Sequence, residues 1–182
     1  MSLHSRPAGK PVLSVRELTT MSLLAAMMIA GQLCMASLPN IEPVSLIIIA
    51  CASVYGLKAL WPTYVFVLVE GLIYGFSMWY VCYLYIWAML VFAVILLRNV
   101  RGRLPMAALS GVFGLMFGAL SEIPFVFLIG IKASAAAWVS GIPFDILHAI
   151  GNFVMAFLLL PACVNILSRI SGKSADNRGE NA

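Results

Sequence analysis

Charge is what this sequence has least of: only 10% of its 182 residues are Asp, Glu, Lys or Arg, where soluble globular domains carry roughly 25%. A water-facing surface cannot be covered at that density, so a soluble domain is excluded. Histidine is scarcer still. His4 and His148 are the only two, which excludes a multi-histidine metal centre, and neither HExxH nor GxSxG occurs. Cys34, Cys51, Cys82 and Cys163 form no CxxC pair and sit in apolar stretches, where they read as small core residues and not as zinc ligands. Gly172-Lys173-Ser174 lacks the upstream glycine of a phosphate-binding loop, since Leu167 stands in its place. No catalytic residue, metal or cofactor is therefore expected, and any energy for work must come from a gradient or a partner.

Long apolar runs are what the sequence does have. Hydrophobic residues make up 63% of the chain and the mean hydropathy is +1.03. At ~20 residues per crossing of a ~30 Å hydrocarbon core, run lengths and breakers predict an all-α membrane protein of six transmembrane helices. The spans are 17–37, 44–57, 61–77, 79–98, 105–129 and 142–169. A cytoplasmic tail (1–16), a bundle (17–169) and a disordered cytoplasmic tail (170–182) follow from this reading. The first apolar run is too long, and too poor in a small-residue cleavage site, for a removable signal peptide, so it is expected to stay as an anchor. Helices two and three look short for a full crossing, a feature that in membrane proteins often borders a binding site.

The net charge of +4 points to topology and not to nucleic acid. If the N-terminus is inside, Arg6, Lys10, Arg16, Lys58, Arg98, Arg101, Arg103, Arg169, Lys173 and Arg178 all fall on the inner side and only Lys132 outside. The positive-inside rule then predicts a plasma-membrane protein with both termini cytoplasmic.

Ionisable residues within spans are costly and face a cavity or the bundle interior, which singles out Glu70, Glu122, Asp145 and His148. Counting ~1.5 Å per residue puts Glu70, Glu122 and His148 each about 10 Å below the outer ends of their helices. Asp145, His148 and Asn152, spaced i, i+3, i+7, form one column on a face that should point inward. Asp145 also has a structural reading as a helix-start carboxylate, with Ser140 or Gly141 as cap and Pro143 in the first turn. His148 and Asn152 read equally well as interhelical hydrogen-bonding groups. Trp79, Tyr80, Tyr83, Tyr85 and Trp87 crowd the start of helix four, with Trp138 in the fifth connection. Most such residues form an interfacial belt, but five within nine positions cannot share one helix face, so some turn inward and suit a flat or large organic ligand.

Small-residue pairs at Ala26/Ala30, Gly71/Gly75 and Gly114/Gly118 let a second helix approach closely. Two of them read as internal packing, and the alanine pair as the surface for a partner.

Over 16–169 the chain resembles the substrate-binding S component of an energy-coupling factor (ECF) vitamin transporter. Ala26-xxx-Ala30 within Leu24-Ala25-Ala26-Met27-Met28-Ile29-Ala30-Gly31 looks like the AxxxA signature for docking on the coupling subunit. Leu38-Pro39-Asn40-Ile41-Glu42-Pro43-Val44 is similar to the first outer loop of the cobalamin-type and related branches. Gly141-Ile142-Pro143-Phe144-Asp145-Ile146-Leu147-His148-Ala149-Ile150-Gly151-Asn152 looks like the start of their sixth helix. The resemblance implies capture of a vitamin or related micronutrient at the outer face and its inward delivery by toppling, with a transmembrane coupling subunit and two ATPases as partners. It implies a pocket of Asn40, Glu42, Trp79, Tyr83, Trp87, Glu122, Asp145, His148 and Asn152. A cobalamin-like corrinoid is the favoured ligand, while Glu42, Glu122 and Asp145 keep a cationic or amine-bearing ligand open. Two other classes compete: a stand-alone proton-coupled carrier relaying through Glu70 or Glu122, and a membrane scaffold without a ligand.

Overall fold

The computed structural model describes residues 13–38, 40–100 and 102–172. Among the described residues the regular structure is entirely helical: α1 (Val15–Cys34), α2 (Val44–Tyr55), α3 (Leu60–Tyr74), α4 (Met78–Leu96), α5 (Arg103–Ser121), α6 (Ile123–Ile129) and α7 (Ile131–Ser171). A 3-10 turn, Gly56–Ala59, joins α2 to α3. Five helical stretches among the described residues are long and apolar enough to cross a membrane: Val15–Cys34, Val44–Tyr74, Met78–Leu96, Arg103–Ile129 and Ile131–Ser171. The protein is thus helical and membrane-embedded by length and composition. Arg6, Lys10, Pro39, Arg101, Lys173, Arg178 and most of both expected tails lie outside the described residues.

α1 begins where its residues supply a capping box. The Ser14 hydroxyl accepts from the Glu17 N–H at 3.2 Å, and the Glu17 carboxylate accepts from the Ser14 N–H at 2.9 Å, satisfying two donors that a helix start leaves free. The other Glu17 oxygen takes the Lys58 ammonium at 2.6 Å. That contact ties the α2–α3 turn to the start of α1. The far end of the chain reaches the same place, since a Cβ on Gly172 would lie 3.8 Å from the Arg16 guanidinium.

α2 is apolar all round, and every residue in it except Ser53 is buried, which marks it as the central helix of the bundle. It packs against α4, α7 and α1, while α5 and α7 make the most extensive helix pair. Glycines allow the α5–α7 approach: a Cβ at Gly114 would stand 2.8 Å from the His148 carbonyl carbon, and one at Gly118 would fall on the Asp145 carboxylate. Gly71 is likewise closed over by Phe76 and Tyr80, whereas Gly75 has φ +84° and ends α3. Ala26 and Ala30 remain exposed on α1.

Three expectations are corrected. The span 105–129 is two helices, broken at Glu122. Pro124 has no N–H to give the Leu120 carbonyl and its ring crowds that oxygen. α4 supplies the missing donor, since Tyr85 Oη donates to the Leu120 carbonyl, and adds a second contact from Cys82 Sγ to the Ser121 carbonyl at 3.2 Å. Second, 130–141 is no irregular connection. Gly130, with φ +86°, makes the turn alone, and α7 starts at Ile131, carried by the helix-favouring Ala133 and Ala135-Ala136-Ala137. At 41 residues α7 is about 60 Å long, twice a ~30 Å core, and Trp138 belongs to it. Third, Asp145 therefore lies within a helix and not at its start, so the reading as a capping carboxylate fails.

Candidate functional site

The first connection leaves α1, passes through Asn40 with φ 55°, and delivers Glu42 to the start of α2. Pro43, the residue preceding α2, carries no side-chain cap, so the exposed N–H groups of the helix start need an acceptor. Glu42 provides it: the Ser45 N–H donates to Oε2 at 2.9 Å and the Ser45 hydroxyl to Oε1 at 2.5 Å. A carboxylate at that place also complements the helix dipole.

α7 brings the second half of the site. Asp145, His148 and Asn152 are all buried, at 3%, 2% and 2% exposure, while Ile146, Leu147 and Ile150 between them face outward. His148 Nε2 lies 3.3 Å from Glu42 Oε1, and since a carboxylate only accepts, that contact uses a proton on Nε2. The Asn152 amide donates to Ser45 Oγ at 3.1 Å. Ser45 from α2 and His148 from α7 thus converge on the Glu42 carboxylate, and Asn152 joins them through Ser45. Asp145, one turn before His148, accepts from the Gly118 N–H at 3.0 Å and so pins α5 to α7.

Above this network lies a cavity of 260 Å³. Asn40, Glu42, Tyr83, Trp87 and His148 line it, together with Gln32 from α1 and Phe117 from α5. Its aromatic wall is a connected set of rings: Tyr83 meets Trp87 at 5.5 Å, Trp87 meets Phe117 at 5.5 Å, and Phe117 meets the His148 ring at 5.1 Å. The first and last of these are edge-to-face and the Trp87–Phe117 pair is tilted; such contacts hold ring orientations, and Phe66 of α3 backs Trp87 edge-on at 6.0 Å.

Among the described residues, three polar atoms of the aromatic wall and the Glu42 network have no hydrogen-bond partner: Trp87 Nε1, His148 Nδ1 and Asn152 Oδ1. Each residue is about 2% exposed, and a buried unmet donor or acceptor costs about 1–3 kcal/mol. Trp87 and His148 line the cavity, and their unmet groups are what a ligand with complementary polar atoms would satisfy.

The remaining nominated residues sit further off. Trp79 packs edge-on against Tyr83 at 5.2 Å and supports the wall without lining the cavity. Glu122, displaced by the helix break, borders a separate shallow depression of 150 Å³ with Ser134 and Trp138. Glu70 is buried in α3 with Oε1 unpartnered, and no hydrogen bond joins it to Glu122 or His148 among the described residues. Ser45, Gln32 and Phe117 complete the site and were not nominated from sequence. Ser45 carried a signal, standing three residues after an acidic residue and just past a proline at a helix start.

Comparison with protein-family models, with curated proteins and with solved structures gave no match for this chain.

Proposed function

We propose that the chain is the membrane-embedded capture subunit of an ECF-type importer, taking up a small vitamin-like molecule at its outer face. The observation that carries this reading is the 260 Å³ cavity lined by Glu42 and His148, which Ser45 and Asn152 hold from behind, and walled by Tyr83, Trp87 and Phe117. A concave pocket with an aromatic wall and a few converging polar groups has the general form of a small-molecule site.

The ligand chemistry follows from the lining. Flat ring faces suit stacking, the Glu42 carboxylate suits an N–H donor or a cation, and Trp87 Nε1–H calls for an acceptor. A cavity near the lower end of the usual ligand-pocket range, roughly 300–1,000 Å³, favours a ligand of one or two rings over the corrinoid that the family resemblance suggests.

Six crossings are supported by chain geometry. Arg16, Lys58 and Gly172 gather at one end of the bundle, so α1 and α7 start and finish on the same side. The number of crossings is then even, and α2 and α3 act as two short spans, of about 18 and 22 Å. The bias in basic residues makes that side the cytoplasm. The exposed Ala26/Ala30 pair offers a close-approach surface for a coupling subunit, with two ATPases supplying the energy.

The test is reconstituted uptake. With the coupling subunit and ATPases present, transport should follow ATP, and Ala26→Leu with Ala30→Leu should abolish assembly while leaving ligand binding intact. Uptake that needs no ATPase and collapses with an uncoupler would overturn the proposal in favour of a proton-coupled carrier.

A further inference from the structure

A second cavity, of 750 Å³, opens at the opposite end of the bundle, between the ends of α2 and α4, the start of α5 and the last third of α7. α2 spans the distance between the two: Ser45 belongs to the first site and Gly56 lines the second. At ~1.5 Å per residue that separation is about 16 Å, so the two sites are distinct.

The lining of this cavity is one-sided in charge. Arg98 and Arg103 contribute guanidinium groups and Asn99 and Asn165 contribute amides, while no Asp or Glu takes part. Neither arginine has a carboxylate within ion-pair distance among the described residues. Arg103 instead lies over the Phe157 ring, 5.6 Å from its centroid. Lys58, at the same end, is already matched by Glu17. The residue preceding α5, Gly102, also lines the cavity and caps nothing with a side chain, so the first N–H groups of a 19-residue helix face this region without an internal acceptor.

We propose that this cavity binds a phosphate group, carried either by an anionic lipid headgroup or by a soluble phosphate. Guanidinium pairs match phosphate oxygens in geometry as well as charge. Basic pockets between helices at the cytoplasmic surface are where anionic headgroups are held, and the same groups would accept a free phosphate. Occupancy would join the ends of α2, α4, α5 and α7 and neutralise two arginines that the chain leaves unpaired.

The test uses the full chain in a neutral detergent after delipidation. Binding is read by native mass spectrometry and melting temperature, with phosphatidylglycerol, phosphatidylcholine and inorganic phosphate as separate additions. Phosphatidylglycerol or phosphate should bind and raise the melting temperature, and phosphatidylcholine should do neither. Binding of the lipid alone assigns the source to a headgroup, and displacement of it by inorganic phosphate assigns a soluble ligand. Arg98→Gln combined with Arg103→Gln should weaken binding ~30-fold, from about one unit of surface attraction per arginine. The Arg98→Lys, Arg103→Lys pair, which keeps the charge, should lose much less. If the glutamine pair does not fold, Asn165→Asp, which puts a carboxylate on the rim, should weaken binding in its place. Equal response to all three additions, response to none, or unchanged affinity in the glutamine or aspartate variant would overturn the proposal.

Discussion

His148 and Trp87 bear most of the chemistry at the scale of single residues, each in two roles. His148 completes the shell of donors around Glu42 and presents an unpartnered Nδ1. Trp87 is the hub of the ring cluster and presents an unpartnered Nε1. The two roles separate by substitution. Trp87→Phe keeps a ring in the cluster but removes the donor, so ligand affinity should fall ~10- to 100-fold, the usual effect of one lost buried hydrogen bond, with little change in melting temperature. His148→Ala should cost both, because it also removes one of the donors around a buried carboxylate that keeps only those of Ser45, a loss of about 1–3 kcal/mol. Equilibrium binding and thermal denaturation on both variants check this; equal losses of stability in the two would contradict the separation. Ser45→Ala tests the network from the other helix. It removes the hydroxyl donor to Glu42 and the acceptor for Asn152 together, and should destabilise by about 1–3 kcal/mol, measured by chemical denaturation.

Helices decide which of these residues meet. The i, i+3, i+7 spacing alone suffices to put Asp145, His148 and Asn152 on one buried face, because helical periodicity is local. The break at Glu122 was not legible in the same way, since it depends on Tyr85 and Cys82 of another helix supplying donors to the carbonyls near Pro124. The α7 start at Ile131 reflects a contest between breakers, Gly130, Gly141 and Pro143, and an alanine-rich run. The run prevailed except at Gly130. Phe117 escaped notice because its role depends on α5 lying against α7, an approach that Gly114 and Gly118 permit. Gly114→Ala tests that approach: its Cβ would meet backbone of α7 on two sides, 2.8 Å from the His148 carbonyl carbon and 2.9 Å from the Ala149 nitrogen. Backbone cannot rotate away, so the helices must part, at a cost of about 1–3 kcal/mol, and ligand binding should weaken because His148 moves with α7. An alanine variant with wild-type melting temperature and affinity would show that the interface has slack.

For the whole molecule, the arrangement is a bundle with two sites at opposite ends and an apolar belt between them. The proposed orientation puts Lys132 outside and Lys10, Lys58 and Lys173 inside. A membrane-impermeant amine reagent applied to sealed right-side-out vesicles should label the Lys132 peptide and spare that of Lys58. The reverse pattern would invert the orientation and put the capture cavity on the cytoplasmic face. Hydropathy and charge bias were enough to reveal a membrane bundle, because both are sums over many residues. The cavity was not, because it exists only where the first connection, α4, α5 and α7 meet.

The most direct test of the central claim, that this cavity captures a small molecule, is mass spectrometry of compounds released from the detergent-purified protein, with Trp87→Ala and His148→Ala purified in parallel. The wild type should release a stoichiometric compound of one or two rings, bearing a group that hydrogen-bonds to or pairs with Glu42, and both variants should have lost it. A wild type that releases nothing, and stays empty when saturated with candidate vitamins, would contradict it and leave Glu42, His148 and Asn152 as interhelical hydrogen bonds of a scaffold.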